Sequence, residues 1–234
     1  MLALFLAAGM GIRLRGSHDL PKGLIRLGNK TIIEESLSNL SRFGVSEALI
    51  VTGYRAEEYH KALKNYSSIS FVHNKEFAEK GSFQSLIVGL ETANDDLIIV
   101  ESDLVYDSRG LEKLLQYPHS DATLVSGFTK AGDEVYVHQE NNHLKNLSKS
   151  NSKDAFGEFV GITKLSKNTC MQLLDLSHSL IQKNPQASYD SDGLTQVARI
   201  TPIYCCKDEN LIWGEIDDLS HLNRVKSIYS KVSS

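Results

Sequence analysis

The chain has 234 residues, with 25 basic and 29 acidic side chains, a formal net charge of −4, and a composition 41% hydrophobic and 23% charged. That length fits one α/β domain with a sizeable core, and the composition excludes disorder as the default state. An acidic balance without any run of like charges gives no support for a nucleic-acid partner.

The elements follow in chain order. Residues 2–7 (LALFLA) are apolar without alternation, the pattern of a strand buried on both faces. Residues 32–43 place Ile32, Ile33, Leu37, Leu40 and Phe43 on one helical face, and Gly44 suits the helix end. A second buried strand is expected at 47–51, a helix from Arg55 to Leu63, a third strand at 69–73, a helix from Ser82 to Glu91 with Ser82 as its cap, and a fourth strand at 97–100. Four such β–α units predict a mostly parallel sheet with helices on both faces. Ligands then bind beyond the carboxyl ends of the strands. The second half is less regular. Strands are expected at 121–127, 134–138, 144–148, 158–164, 200–206 and 211–216, a long helix at about 167–183, and a closing helix at the end. His138 and His143 are expected in an exposed turn region, and Trp213 in the core. With no repeat and no Pro-rich linker, a single domain is expected over 1–234: a nucleotide-binding half to about 110 and an acceptor-binding half from about 111.

Cys170, Cys205 and Cys206 are odd in number and two are adjacent, which suits a reduced, intracellular setting better than a disulfide framework. No stretch approaches membrane-spanning length, and no basic residue precedes the first apolar run as in a secretory leader. The expectation is a cytoplasmic protein with no membrane insertion.

Three features carry chemistry. The first is LAAGMGIRLRGSHDLPKGL at 6–24. Leu6, Ala7, Ala8, Gly9 and Gly11 follow a buried strand, where backbone N–H groups can point at phosphate oxygens. Arg13 and Lys22 share that edge, and cations there can stabilise charge growing on a triphosphate. A dinucleotide fingerprint fails because Leu14 holds the third glycine position, and a phosphate-binding P-loop fails because Gly23 follows Lys22. The second feature is ESD at 101–103, with Asp107 close behind. A strand-end carboxylate suits Mg²⁺, which takes one or two carboxylates plus phosphate oxygens, although Asp103 read alone also fits a helix cap. The third is WGEIDD at 213–218, where Glu215 and Asp217 share a face and Asp217 can join Asp103, or lie in a solvated turn. No H-E-x-x-H spacing and no G-x-S-x-G element appear.

LAAGMGIRL followed by PKGL, with ESD and the later EID, resembles the nucleotidyltransferases that activate sugar phosphates and phosphocholine. TGY at 52–54 and GSFQSL at 81–86 extend the likeness along the chain. ESDLVYD, SGFTKAGDEVYV, NLSKS, GEFVGITKLS and LIWGEIDDLSHL resemble the cytidylyltransferases of phosphonate biosynthesis, which join CTP and 2-aminoethylphosphonate. The resemblance implies a Rossmann-like, mixed and mostly parallel sheet flanked by helices. It implies Arg13 and Lys22 on the triphosphate, Asp103 and Asp217 on Mg²⁺, and Lys149 on the acceptor's phosphonate. Ala7, Ala8 and Gly9, with Gly81, Ser82 and Ser102, would line the nucleotide pocket. An aminated acceptor needs a carboxylate or aromatic partner; Glu158 and Asp107 lead, followed by Asp133, Glu134, Tyr136 and Tyr189. The implied partners are CTP and a small phosphonate or phosphomonoester, with homodimer formation open. Phosphocholine, 2-hydroxyethylphosphonate or a sugar 1-phosphate are alternative acceptors, and a non-catalytic nucleotide-binding protein is the alternative outside enzymology.

Overall fold

The structure, a computed structural model, describes residues 1–14, 16, 19–132, 134–150 and 154–232. Its strands are β1 (Leu2–Ala7), β2 (Arg26–Leu27), β3 (Lys30–Thr31), β4 (Ala48–Thr52), β5 (Ile69–His73), β6 (Leu97–Glu101), β7 (Leu104–Tyr106), β8 (Ala122–Ser126), β9 (Tyr136–Glu140), β10 (His143–Ser148), β11 (Gly157–Leu165), β12 (Tyr204–Asp208) and β13 (Trp213–Glu215). Its α-helices are α1 (Ile32–Arg42), α2 (Ala56–Ala62), α3 (Ser82–Thr92), α4 (Ser108–Gln116), α5 (Lys167–Lys183), α6 (Thr195–Val197) and α7 (Leu219–Val232). A π-helical segment covers Tyr189–Leu194.

Nine strands form one sheet in the order β5-β4-β1-β6-β11-β8-β12-β10-β9. The pairings make β10 and β11 run against the other seven, so the sheet is mixed and mostly parallel. Alternation within each strand divides the core. Ala3, Phe5 and Ala7 of β1 face one apolar cluster with α1, α2 and α4, while Leu4 joins the cluster on α3 and α5. This is why the strand reads as continuously apolar. Cys205 and Cys206 likewise point into opposite clusters, and all three cysteines are free and buried. Burial pushes the Cys170 and Cys205 thiols up to about 12. No helix among the described residues is long and apolar enough to cross a membrane.

Several boundaries differ from those the sequence predicts. Gly81, not Ser82, is the residue preceding α3. The strand expected at 200–206 starts at Tyr204, because helical turns continue to Thr201. His138 and His143 are half-buried on β9 and β10; the turn itself is Asn141–Asn142, both at positive φ. Trp213 is buried and donates to Ser126 Oγ at 2.8 Å. The short β2–β3 and β7–β13 pairs have too few residues to show a period.

One irregularity shapes the site. β11 pairs with β6 through residues 162–165, and then with β9 through Gly157 and Glu158. It changes partner around Gly161, which has φ +84, a conformation open to glycine. A Cβ there would lie 2.9 Å from the Glu101 carboxyl carbon. Gly161→Ala is therefore expected to cost about 1–3 kcal/mol in chemical denaturation. An unchanged midpoint would show that the bend accepts a side chain.

Candidate active site

The carboxyl ends of β1 and β6 are in register, Leu6 beside Glu101, and Ser102 N donates to Leu6 O at 3.3 Å. A cleft of about 410 Å³ opens beyond them. Its floor is the glycine loop: Leu6, Ala7, Ala8, Gly9 and Gly11 all line it. Gly11 has φ +55, and a Cβ on Gly9 would meet nothing within 4 Å, so the loop leaves room where backbone N–H groups are exposed.

Lys22 enters the cleft from a 3₁₀ turn, Lys22–Leu24. Its ammonium group donates to Asp103 at 2.9 Å and also to Asp217. Arg13, largely exposed, pairs with Asp217 at 2.8 Å. Burial would lower the Lys22 pKa, but the two carboxylates outweigh it and hold the group charged well above the usual lysine range. The local sequence explains the approach. A Cβ on Gly23 would lie 2.8 Å from the Tyr59 hydroxyl and 2.9 Å from Ser102 O, so only glycine lets this turn sit against β6. Pro21 precedes it and sets φ.

The opposite wall is a strap over the start of α3. Gly81 N donates to Pro185 O, Phe83 N to Ala187 O, and Tyr189 N to Ser82 Oγ, at 3.0, 3.1 and 3.1 Å. A Cβ on Gly81 would lie 2.2 Å from Ala187 O, which gives the glycine of GSFQSL its reason. Beyond the strap the π-helical segment turns Tyr189 and Asp190 into the cleft. Tyr189 donates to Glu101 at 2.5 Å. Burial first, then the neighbouring Glu215 and Asp103, raise the Glu101 pKa well above the usual carboxylate range, against the Tyr189 hydrogen bond.

The structure thus brings together Arg13, Lys22, Lys149, Gly81, Ser82, Ser102, Asp103, Asp217 and Tyr189 with the glycine loop. Asp107, Glu134, Tyr136 and Glu158, expected at the acceptor's amine, do not line the cleft. Asp107 caps α4, accepting from Arg109 N at 3.0 Å, and the Arg109 guanidinium holds its carboxyl below the usual range. Glu134 accepts from Gly132 N at 3.0 Å and from the Tyr136 hydroxyl at 3.4 Å. Glu158 is buried beneath that loop, accepting from Thr129 N at 2.7 Å through one oxygen, while the other has no hydrogen-bond partner among the described residues. Asp133 lies outside the described residues. Missed by sequence reading were Lys80, Glu101 and Asp190. Lys80 abuts GSFQSL and Glu101 begins ESD, so position could have drawn attention to both; Asp190 sits in a π-helical turn with no motif.

Asp103 and Asp217 offer hard carboxylate oxygens converging on one point, and among the described residues no three or more His, Cys, Asp or Glu side chains could hold a metal ion by themselves. That donor set fits Mg²⁺ shared with phosphate oxygens and water.

Two outcomes follow from the misplaced acids. Asp107→Ala is expected to cost about 1 kcal/mol of stability through the lost cap, with acceptor KM unchanged; a raised KM would return Asp107 to the site. Burial raises the Glu158 carboxyl above its unfolded pKa, so stability is lost as pH rises through that window and is retained below it. Glu158→Gln should therefore raise Tm at about pH 7.5 and leave it unchanged at about pH 4; equal effects at both would remove ionisation as the cause.

Comparison with known proteins gives the chain a family and a fold. Residues 3–170 match the MobA-like NTP transferase domain. The choline-phosphate cytidylyltransferase of Streptococcus pneumoniae is 33% identical over 106 residues, 44% of this chain and 46% of that enzyme. The CMP-5'-(3-aminopropyl)phosphonate synthase of Streptomyces rubellomurinus is 30% identical over 128 residues, 53% of this chain and 20% of that protein. The aligned stretch thus spans less than half of either relative. The inositol-1-phosphate CTP transferase from T. maritima shares the fold with a TM-score of 0.82 at 20% identity, covering 100% of this chain and 96% of that one. With the matched region taking in the glycine loop, Lys22, the strap's anchor on α3 and Asp103, the chain belongs to the MobA-like NTP transferase domain family.

Proposed function

We propose that this protein transfers CMP from CTP to 2-aminoethylphosphonate, releasing pyrophosphate. The observation that carries the reading is the Lys22 ammonium held between Asp103 and Asp217 at the mouth of the glycine loop. CTP is favoured because the relatives include a choline-phosphate cytidylyltransferase and a CMP-aminopropylphosphonate synthase. An aminated phosphonate is favoured by the second name and by the motifs running from ESDLVYD to LIWGEIDDLSHL. Three buried cysteines without a disulfide support a cytoplasmic setting.

In this mechanism a phosphonate oxygen attacks the α-phosphorus of CTP in line. The new bond joins that oxygen to the α-phosphorus, and the bond to the oxygen bridging the β-phosphorus breaks. The electron pair leaves on pyrophosphate. Arg13 and Lys22 offset the charge that grows on the leaving oxygens. Lys149 holds the phosphonate. The nucleophile is already an anion at neutral pH, so no side chain has to remove a proton. Asp103 and Asp217 would hold Mg²⁺, which when bound would offset further charge on the triphosphate. Gly81 and Ser82, at the start of α3, bound the base side with the glycine loop.

A pyrophosphate-release screen crossing four NTPs with phosphonates and phosphomonoesters tests the reading. CTP with 2-aminoethylphosphonate should give the highest kcat/KM, and preference for another pair would replace it. Lys22→Ala should lower kcat by roughly 10²–10³, because its contact is worth most in the transition state; near-normal turnover would remove it from catalysis. Asp217→Asn should shift the magnesium titration to higher concentration, and an unmoved curve would take Asp217 out of the metal site.

A further inference from the structure

Five carboxylates line the cleft, Glu101, Asp103, Asp190, Glu215 and Asp217, against four cationic side chains. Acids beside a triphosphate and a phosphonate are useful only where they meet cations that arrive with the substrates. Asp103 and Asp217 are engaged by Lys22 and Arg13 and face the proposed metal. Glu215 ends β13 two residues before Asp217, on the same side. Glu101 accepts from Tyr189. Asp190 is the remaining acid, and it lies on the other wall.

That wall is built to hold it. Asp190 is 9% exposed, lines the cleft, and receives a side-chain bond from Ser191 Oγ at 3.3 Å. Asp192, two residues on, turns away and accepts from Ser188 N at 2.8 Å. Thr195, directly after the π-helical segment, accepts from Leu147 N at 3.1 Å, which ties this wall to the strand that leads to Lys149. A phosphonate at Lys149 therefore has Asp190 on the neighbouring element.

We infer that Asp190 receives the terminal ammonium group of an aminoalkyl phosphonate, and that Tyr189, anchored on Glu101, is the positioning residue that fixes Asp190 in the cleft. This rests on the cytidylyltransferase reading above and names the side chain that selects its acceptor. The wall suits a primary ammonium rather than a quaternary one. A primary ammonium donates three hydrogen bonds, whereas a trimethylammonium donates none and needs an aromatic cage. The aromatic lining is Tyr59, Phe77 and Tyr189. Tyr59 is buried beneath Gly23, and Phe77 packs on Gly53 beside Ala8, which leaves one ring on this wall.

The test is the ratio of kcat/KM for 2-aminoethylphosphonate to that for propylphosphonate, which has the same length and no amine. Pyrophosphate release from CTP is the signal, with phosphocholine as a third acceptor. The wild type should favour the aminated acceptor, and Asp190→Asn should lower the ratio by about tenfold or more, chiefly through KM. Tyr189→Phe, which removes the bond to Glu101, should lower it in the same direction; it also serves should the Asn variant fail to fold. A wild-type ratio near one, a ratio unmoved in both variants, or phosphocholine as the better substrate would overturn the inference while leaving CMP transfer from CTP in place. No pyrophosphate release with any acceptor would remove both.

Discussion

Lys22 sits between two carboxylates that lie 81 and 195 residues further along the chain, and the rest of the cleft is arranged around that contact. Bringing an ammonium group into a half-buried position costs solvation, and two acids must be in place to offset it. Each comes from a different part of the fold: Asp103 follows the central parallel strand β6, and Asp217 follows β13, which reaches the site only by pairing with β7. The contact therefore requires both the central strands of the nine-stranded sheet and the separate β7–β13 pair to be in place. It also requires the tight turn at Gly23, because any larger residue would push the lysine away from β6. A buried ion pair of this kind contributes little net stability compared with apolar residues of similar volume. Its retention is better explained by chemistry, since it aims one cation and two carboxylates at the same few ångströms of space.

How much of this was legible in the sequence depends on the range of the constraint. β1, β5 and α5 are long or apolar enough for local pattern to place them at their observed limits. The glycine loop, Lys22, Asp103 and Asp217 were legible because each combines an uncommon local arrangement with a position at a strand's end. The two-residue strands and the π-helical segment were not, because short elements have no period to read and are fixed by tertiary contacts. Gly161 was invisible for a related reason: its positive φ answers to Glu101, sixty residues earlier and on another strand.

The acids expected to meet an acceptor's amine show where residue type alone runs out. Asp107, Glu134 and Glu158 have the right chemistry, and the last two lie in the half of the chain expected to bind the acceptor. Asp107 sits one residue before a helix, and an acid there serves the backbone first. Glu158 falls on β11 where the strand is sandwiched between β8 and β9, so its side chain is spent on the loop above it. Neither fate is visible without knowing which strands are neighbours. Asp190 has the opposite history, since nothing in YDSDGL marks it, and only the strap over α3 turns it inward.

Three departures from regular structure converge on one wall. Gly161 bends β11 to admit the Glu101 carboxyl, Gly81 lets the 185–189 strap lie against α3, and a π-helical turn follows the strap. Each costs local stability: positive φ and close backbone contacts are tolerated only when surrounding packing enforces them, and π-helical turns are rare outside functional positions. Irregularities scattered at random would have no common partner. These share the Tyr189–Glu101 hydrogen bond, which links the strand leading to Asp103 with the segment carrying Asp190. Because local rules tend to be broken where function requires it, these departures mark the wall as functional: Gly81 and Ser82 bound it beside the glycine loop, and the strap beyond them brings Asp190 to the cleft.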